Sequence, residues 1–81
     1  MAIVNKQIGD PYENLANAVI AQAAEDYRAA LKKIKAHPQN KDAIDEALRI
    51  ERFFRSGWYQ TLTSVDGECL IRRLQAEIRS S

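Results

Sequence analysis

Eighty-one residues, 46% hydrophobic and 28% charged, describe one ordinary globular domain, too short for two cores and too apolar to stay disordered. A net charge of +1 excludes an acidic mimic of nucleic acid and leaves no strong electrostatic footprint for DNA. One cysteine rules out an internal disulfide and suits a reducing cytoplasm.

The opening stretch "MAIVNKQIGDPYENL" has neither the basic start nor the unbroken apolar run of a signal peptide. Residues 1–9 are expected as an extended arm. No stretch approaches the roughly 18 apolar residues of a membrane span, so a soluble protein is expected.

A first helix is predicted over 10–36. Asp10 can cap it, Pro11 suits its first position, and Glu13 completes a capping-box-like spacing. Tyr12, Ala16, Val19, Ala23, Tyr27, Ala30 and Ile34 follow at intervals of three and four, and Leu15, Ile20 and Leu31 widen the stripe. "HPQN" ends the helix, because the residue before Pro38 is pushed out of the α region. The result is a rod of about 39 Å. Its many alanines keep the surface low enough for a second helix to approach on more than one side.

Asn40 can cap a second helix, over 41–55, with Asp42, Asp45 and Glu46 at its positive end. Its apolar positions are Ile44, Ala47, Leu48, Ile50, Phe53 and Phe54. Asp45 with Arg49 and Glu51 with Arg55 are acid-first pairs for its solvated face. Gly57 is expected to end or bend it, leaving 57–62 as a short helical turn. Thr63 with Asp66 opens a last helix over 64–79, with Leu70, Ile71, Leu74 and Ile78 inward and Glu68 paired to Arg72 outward. Cys69 is expected at a buried position in it rather than as a reactive thiol. The predicted fold is all-α: a three-helix bundle with one long helix and two shorter ones joined by a kinked aromatic segment.

Little in the chain resembles catalytic chemistry. His37 is the single histidine and stands beside Pro38 in a loop. With one histidine and one cysteine there is no tetrahedral zinc set, and Gly9, Gly57 and Gly67 are too scattered to cradle phosphate. "VDGE" lacks the alternating ligands of a calcium loop, so Asp66 reads as a cap. Neither enzyme activity, a metal nor a cofactor is expected.

Two stretches suggest binding. Arg28, Lys32, Lys33, Lys35 and Lys41 place five positive charges in 28–41 with no acid among them. They either complement the end of the first helix or contact phosphate. A helix-turn-helix would present the last helix to DNA, but its first turn carries Asp66 and Glu68. The second stretch is "RFFRSGWYQ", which holds four of the six aromatics. Phe54 and Trp58, four apart, are expected in the core against Tyr27 or Leu31. Arg52, Phe53, Arg55 and Tyr59 are then the candidate partner-binding residues, since tyrosine, tryptophan and arginine concentrate at interface hot spots. A homodimer is compatible with the exposed aromatics and the alanine-rich helix.

The runs "NLANAVIAQAAEDYRAALKKIK" and "ERFFRSGWYQTLTSVDGECLIRRL" resemble small uncharacterised proteins encoded in prophages and mobile elements of Firmicutes. The resemblance spans about Asp10 to Arg79 and rests on Asp26-Tyr27-Arg28, Phe53-Phe54-Arg55-Ser56 and Asp66-Gly67-Glu68. That group brings no established activity, so it assigns no functional residue. It implies a phage-type accessory protein in a bacterial cytoplasm, and such proteins often bind and block a host defence protein such as a CRISPR nuclease. The expectation is a non-enzymatic inhibitor of that kind; the alternative is a small nucleic-acid-binding regulator using 28–41.

Overall fold

A computed structural model describes residues 11–80. The expected arm over 1–9 and the cap at Asp10 lie outside them, as do the side chains of Tyr12 and Glu13. The described chain is all-helical: α1 Pro11–Ala36, α2 Lys41–Phe54, α3 Gly57–Leu62 and α4 Gly67–Ser80. No helix among these residues is long and apolar enough to cross a membrane.

Local chemistry sets each boundary. After α1, His37 to Asn40 form the turn, with the Asn40 N–H donating to the His37 carbonyl at 3.0 Å. Asn40 then caps α2 by accepting the Ala43 N–H on its side chain at 3.1 Å. The break after α2 belongs to Ser56 rather than Gly57. The Ser56 hydroxyl donates to the Phe53 carbonyl at 2.7 Å and accepts the Tyr59 N–H at 3.1 Å. It thus closes α2 and opens α3 with one side chain.

The last helix begins later than its sequence spacing predicts. Thr63 Oγ1 accepts the Val65 N–H at 3.2 Å, and Asp66 Oδ1 accepts the Glu68 N–H at 3.1 Å. Residues 63–66 therefore form a connection, and Asp66 caps a helix starting at Gly67. The start is tightly seated, because a Cβ on Gly67 would collide with the Phe54 carbonyl oxygen.

α2 runs back along α1 and α4 returns beside it. Near α1's middle, Phe54 and Glu51 meet Tyr27; towards its end, the Lys35 ammonium donates to the Ile78 carbonyl at 2.8 Å. Tyr27, Phe54, Tyr59, Ile71 and Leu74 are the large side chains sealed from solvent, framed by Ala24, Ala30, Ala47 and Ile50. Burying five such side chains contributes roughly 1.5–3 kcal/mol each before entropy is counted.

Five positions differ from expectation. Leu15 and Leu48 are exposed, and so is Cys69, which is no core residue. Trp58 is 59% exposed while Tyr59 is 1% exposed, reversing the expected roles of these rings. The i,i+4 link from Phe54 to Trp58 assumes one continuous helix. Ser56 interrupts that helix and resets its phase, so Tyr59 turns inward.

Candidate interaction surface

The aromatic joint is built outward from the core. Phe54 and Tyr59 pack nearly perpendicular to each other, with centroids 5.7 Å apart, and Phe54 meets Tyr27 edge-on at 6.0 Å. Phe53 covers this pair from outside, 5.5 Å from Phe54 and 5.7 Å from Tyr59. Its other neighbour is Trp58, edge-on at 5.4 Å. Half-buried Phe53 therefore links a sealed core to an exposed indole, which it holds in place.

Trp58 and Phe53 form one wall of a groove of about 440 Å³. Its other lining comes from α1: Ala18, Val19, Gln22, Ala23 and Asp26. The alanines leave space, the aromatics supply contact area, and the Asp26 carboxylate, held by Gln22 Nε2 at 3.0 Å, marks one end. The depression is shallow and apolar, with an exposed indole at its edge, and so offers contact area to another apolar group.

The four predicted partner-binding residues separate. Arg52 is exposed and Phe53 lines the groove, so these two stay on the candidate surface. Tyr59 leaves it, because its ring is buried beneath Phe53 and its hydroxyl has no hydrogen-bond partner among the described residues. Arg55 is exposed but engaged: it donates to Glu68 through two nitrogens at 2.9 and 3.1 Å and to Glu51 at 3.3 Å. These carboxylates hold the Arg55 guanidinium above its ordinary value, the Glu68 hydrogen bond first, and Arg55 in turn holds Glu68 below the usual carboxylate range. It ties α2 to α4. Sequence spacing missed Trp58, although its residue type is the one that interfaces favour.

The basic stretch is also divided by the fold. The Arg28 guanidinium donates to Glu77 at 2.8 and 3.4 Å and to Glu25 at 3.0 Å, which lowers Glu77 below its ordinary value. Lys35 holds the Ile78 carbonyl near the end of α4. Lys32, Lys33 and Lys41 are exposed, yet Lys33 lines a groove shared with Asp26, Asp42 and Glu46. Acids absent from 28–41 in sequence thus reach it in space. α3 separates α2 from α4, and at the start of α4 Asp66 is engaged as a cap and Glu68 by Arg55.

Two expected surface pairs change partner. Arg49 pairs with Glu46 at 3.2 Å rather than with Asp45, and Glu68 turns to Arg55 rather than Arg72. His37 is exposed in the α1–α2 turn. No cluster of three His, Cys, Asp or Glu able to hold a metal occurs among the described residues.

No protein family, curated protein or solved structure matches the chain.

Proposed function

We propose that this chain is a non-enzymatic protein that binds another macromolecule through the Trp58 face. The reading takes α1, α2 and α4 as a three-helix bundle with α3 as its kinked aromatic joint. One observation carries it: the single tryptophan stands exposed beside an apolar groove, braced by Phe53. An indole that already packs edge-on against Phe53 has less freedom to lose on binding than an unsupported one, which favours it as an anchor. Arg52, the residue before Phe53, is exposed as well. The kind of target, a bacterial defence protein such as a CRISPR nuclease met in the cytoplasm, rests on the sequence resemblance to phage-type accessory proteins alone.

A pull-down from bacterial lysate tests this, run at low and roughly 0.3 M salt with nuclease in parallel. One protein retained in stoichiometric amount under every condition, and lost with Trp58→Ala, is the expected result. Retention that disappears with nuclease or salt would favour the second reading, a nucleic-acid-binding regulator. That alternative draws on exposed Lys32, Lys33 and Lys41, with Arg28 and Lys35 nearby.

A further inference from the structure

The break between α2 and α3 turns on a single backbone torsion. Arg55, which caps the end of α2, is in the α region at φ −95° and ψ 0°, and Gly57 already opens α3. Only Ser56, at φ −81° and ψ 161°, is extended. Turning its ψ by about 160° would set all of 41–62 on one helical path. The two paths bury different rings. On a continuous helix Trp58 follows Phe54 by four positions and joins the inward stripe of Ala47, Ile50 and Phe54, while Tyr59 turns outward. On the broken path Tyr59 is inside, with a sealed hydroxyl that lacks a hydrogen-bond partner among the described residues, and Trp58 is outside. Each of these is a cost that the continuous path removes.

We propose that Ser56 is a hinge with two settings: the broken one described above, and a straight one in which α2 and α3 form one helix and Trp58 replaces Tyr59 on the inward side. A straight helix over 41–62 is about 33 Å long and extends α2 over the Pro11 half of α1, beyond the reach of its present 14 residues. Leu62 then ends about 12 Å past Phe54, and the steps from Leu62 to Gly67 span up to about 17 Å, so the chain still reaches α4. Two features hold the broken setting. The Ser56 hydroxyl links the Phe53 carbonyl to the Tyr59 N–H, and Gly67 lies against the Phe54 carbonyl that a straight helix would give to the Trp58 N–H. The start of α4 has to draw back before the helix can straighten, so the settings are alternatives and not a continuum. A partner that grips exposed Trp58 selects the broken setting, and the straight one withdraws the indole. This gating rests on the reading of the Trp58 face as a binding surface; the hinge itself does not.

Trp58 is the single tryptophan, so its emission reports the setting. Ser56→Ala removes both hydrogen bonds of the cap and should move the emission to the blue with a gain in helicity. Gly57→Pro should lock the broken setting. Proline suits the first position of α3, holds Ser56 extended and cannot stand inside a straight helix, and nothing lies within 4 Å of a Cβ there. In the wild type, NMR relaxation dispersion should show exchange over 56–62 and at the Trp58 indole, and Gly57→Pro should abolish it. A folded Ser56→Ala with unchanged emission overturns the hinge. So does a wild type without that exchange, or exchange that persists in Gly57→Pro; this pair decides alone if Ser56→Ala does not fold. Lysate capture separates the hinge from the binding surface. Capture reduced by Ser56→Ala and kept by Gly57→Pro supports the gating. Capture that ignores Trp58→Ala, with the spectra responding as expected, sinks the binding surface alone. Capture that needs Trp58, with silent spectra, sinks the hinge alone.

Discussion

The Tyr27 hydroxyl donates a 2.6 Å hydrogen bond to Glu51 Oε2 and accepts one from Gln75 Nε2 at 3.1 Å. One phenol on α1 therefore joins α2 and α4, and the chain of contacts continues from Glu51 through Arg55 to Glu68. Tyr27→Phe should keep the packing against Phe54 and leave Glu51 short of a donor. The expected loss is about 1–2 kcal/mol, since the lost bond is to a charged group that keeps a second partner. Thermal melting should fall by roughly 5–15 °C, and an unchanged melt would contradict the role assigned to the bond.

The same substitution at Tyr59 should do the opposite. Its hydroxyl is buried and has no hydrogen-bond partner among the described residues, and burial first and the nearby Asp66 charge second raise its pKa. Tyr59→Phe removes a desolvated polar group from an otherwise apolar site, and should be neutral or stabilise by up to about 1 kcal/mol. Urea unfolding of both variants side by side gives the comparison.

Two glycines should respond differently to alanine. A methyl on Gly67 meets the Phe54 carbonyl and lies 3.3 Å from the Tyr59 ring, so α4 has to move away from the joint. Gly67→Ala should lose about 1–3 kcal/mol. At Gly57, the first residue of α3, nothing stands within 4 Å of the added carbon. Gly57→Ala should gain about 0.4–1 kcal/mol by narrowing the unfolded chain.

Stability should decline at both ends of the pH range, for reasons of opposite sign. Glu68 and Glu77 lie below their ordinary value of 4.5, held there first by Arg55 and Arg28. Their contribution is present above that value and is lost as acid protonates them in the folded state. Tyr27 is raised above its ordinary value of 10.0, first by burial and then by its bond to Glu51. Above that pH the unfolded chain releases a proton that the folded chain retains, so stability falls as pH rises. Arg28→Gln should flatten the acid limb and Tyr27→Phe the alkaline one, measured as denaturant midpoints against pH.

Helices and their caps were readable where the chemistry is local. Pro38, Asn40 and Asp66 act on their nearest backbone neighbours, and each works in the structure as its type suggests. Ser56 broke the inference about the rings. A cap between Phe54 and Trp58 changes helical phase, and counting by fours across it places the wrong aromatic inside. For Leu15 the cause is length: α1 has 26 residues while α2 and α4 have 14 each, so the shorter helices cannot cover its whole rod. Cys69 could have been placed correctly, because it stands off the stripe formed by Ile71, Leu74 and Ile78. The acids that reach the basic stretch were not readable, since Glu77 meets Arg28 across 49 positions.

Because α4 runs beside α1 in the same direction, Ser80 lies near the end of α1 marked by Lys35. Pro11 lies at the other end of that rod, about 37 Å away at 1.5 Å per residue. The groove at Ala18 and Trp58 belongs to the Pro11 half. A tether or fluorophore attached at Ser80 therefore leaves this face open to solution. Immobilisation through Ser80 thus suits any measurement of binding attributed to the tryptophan.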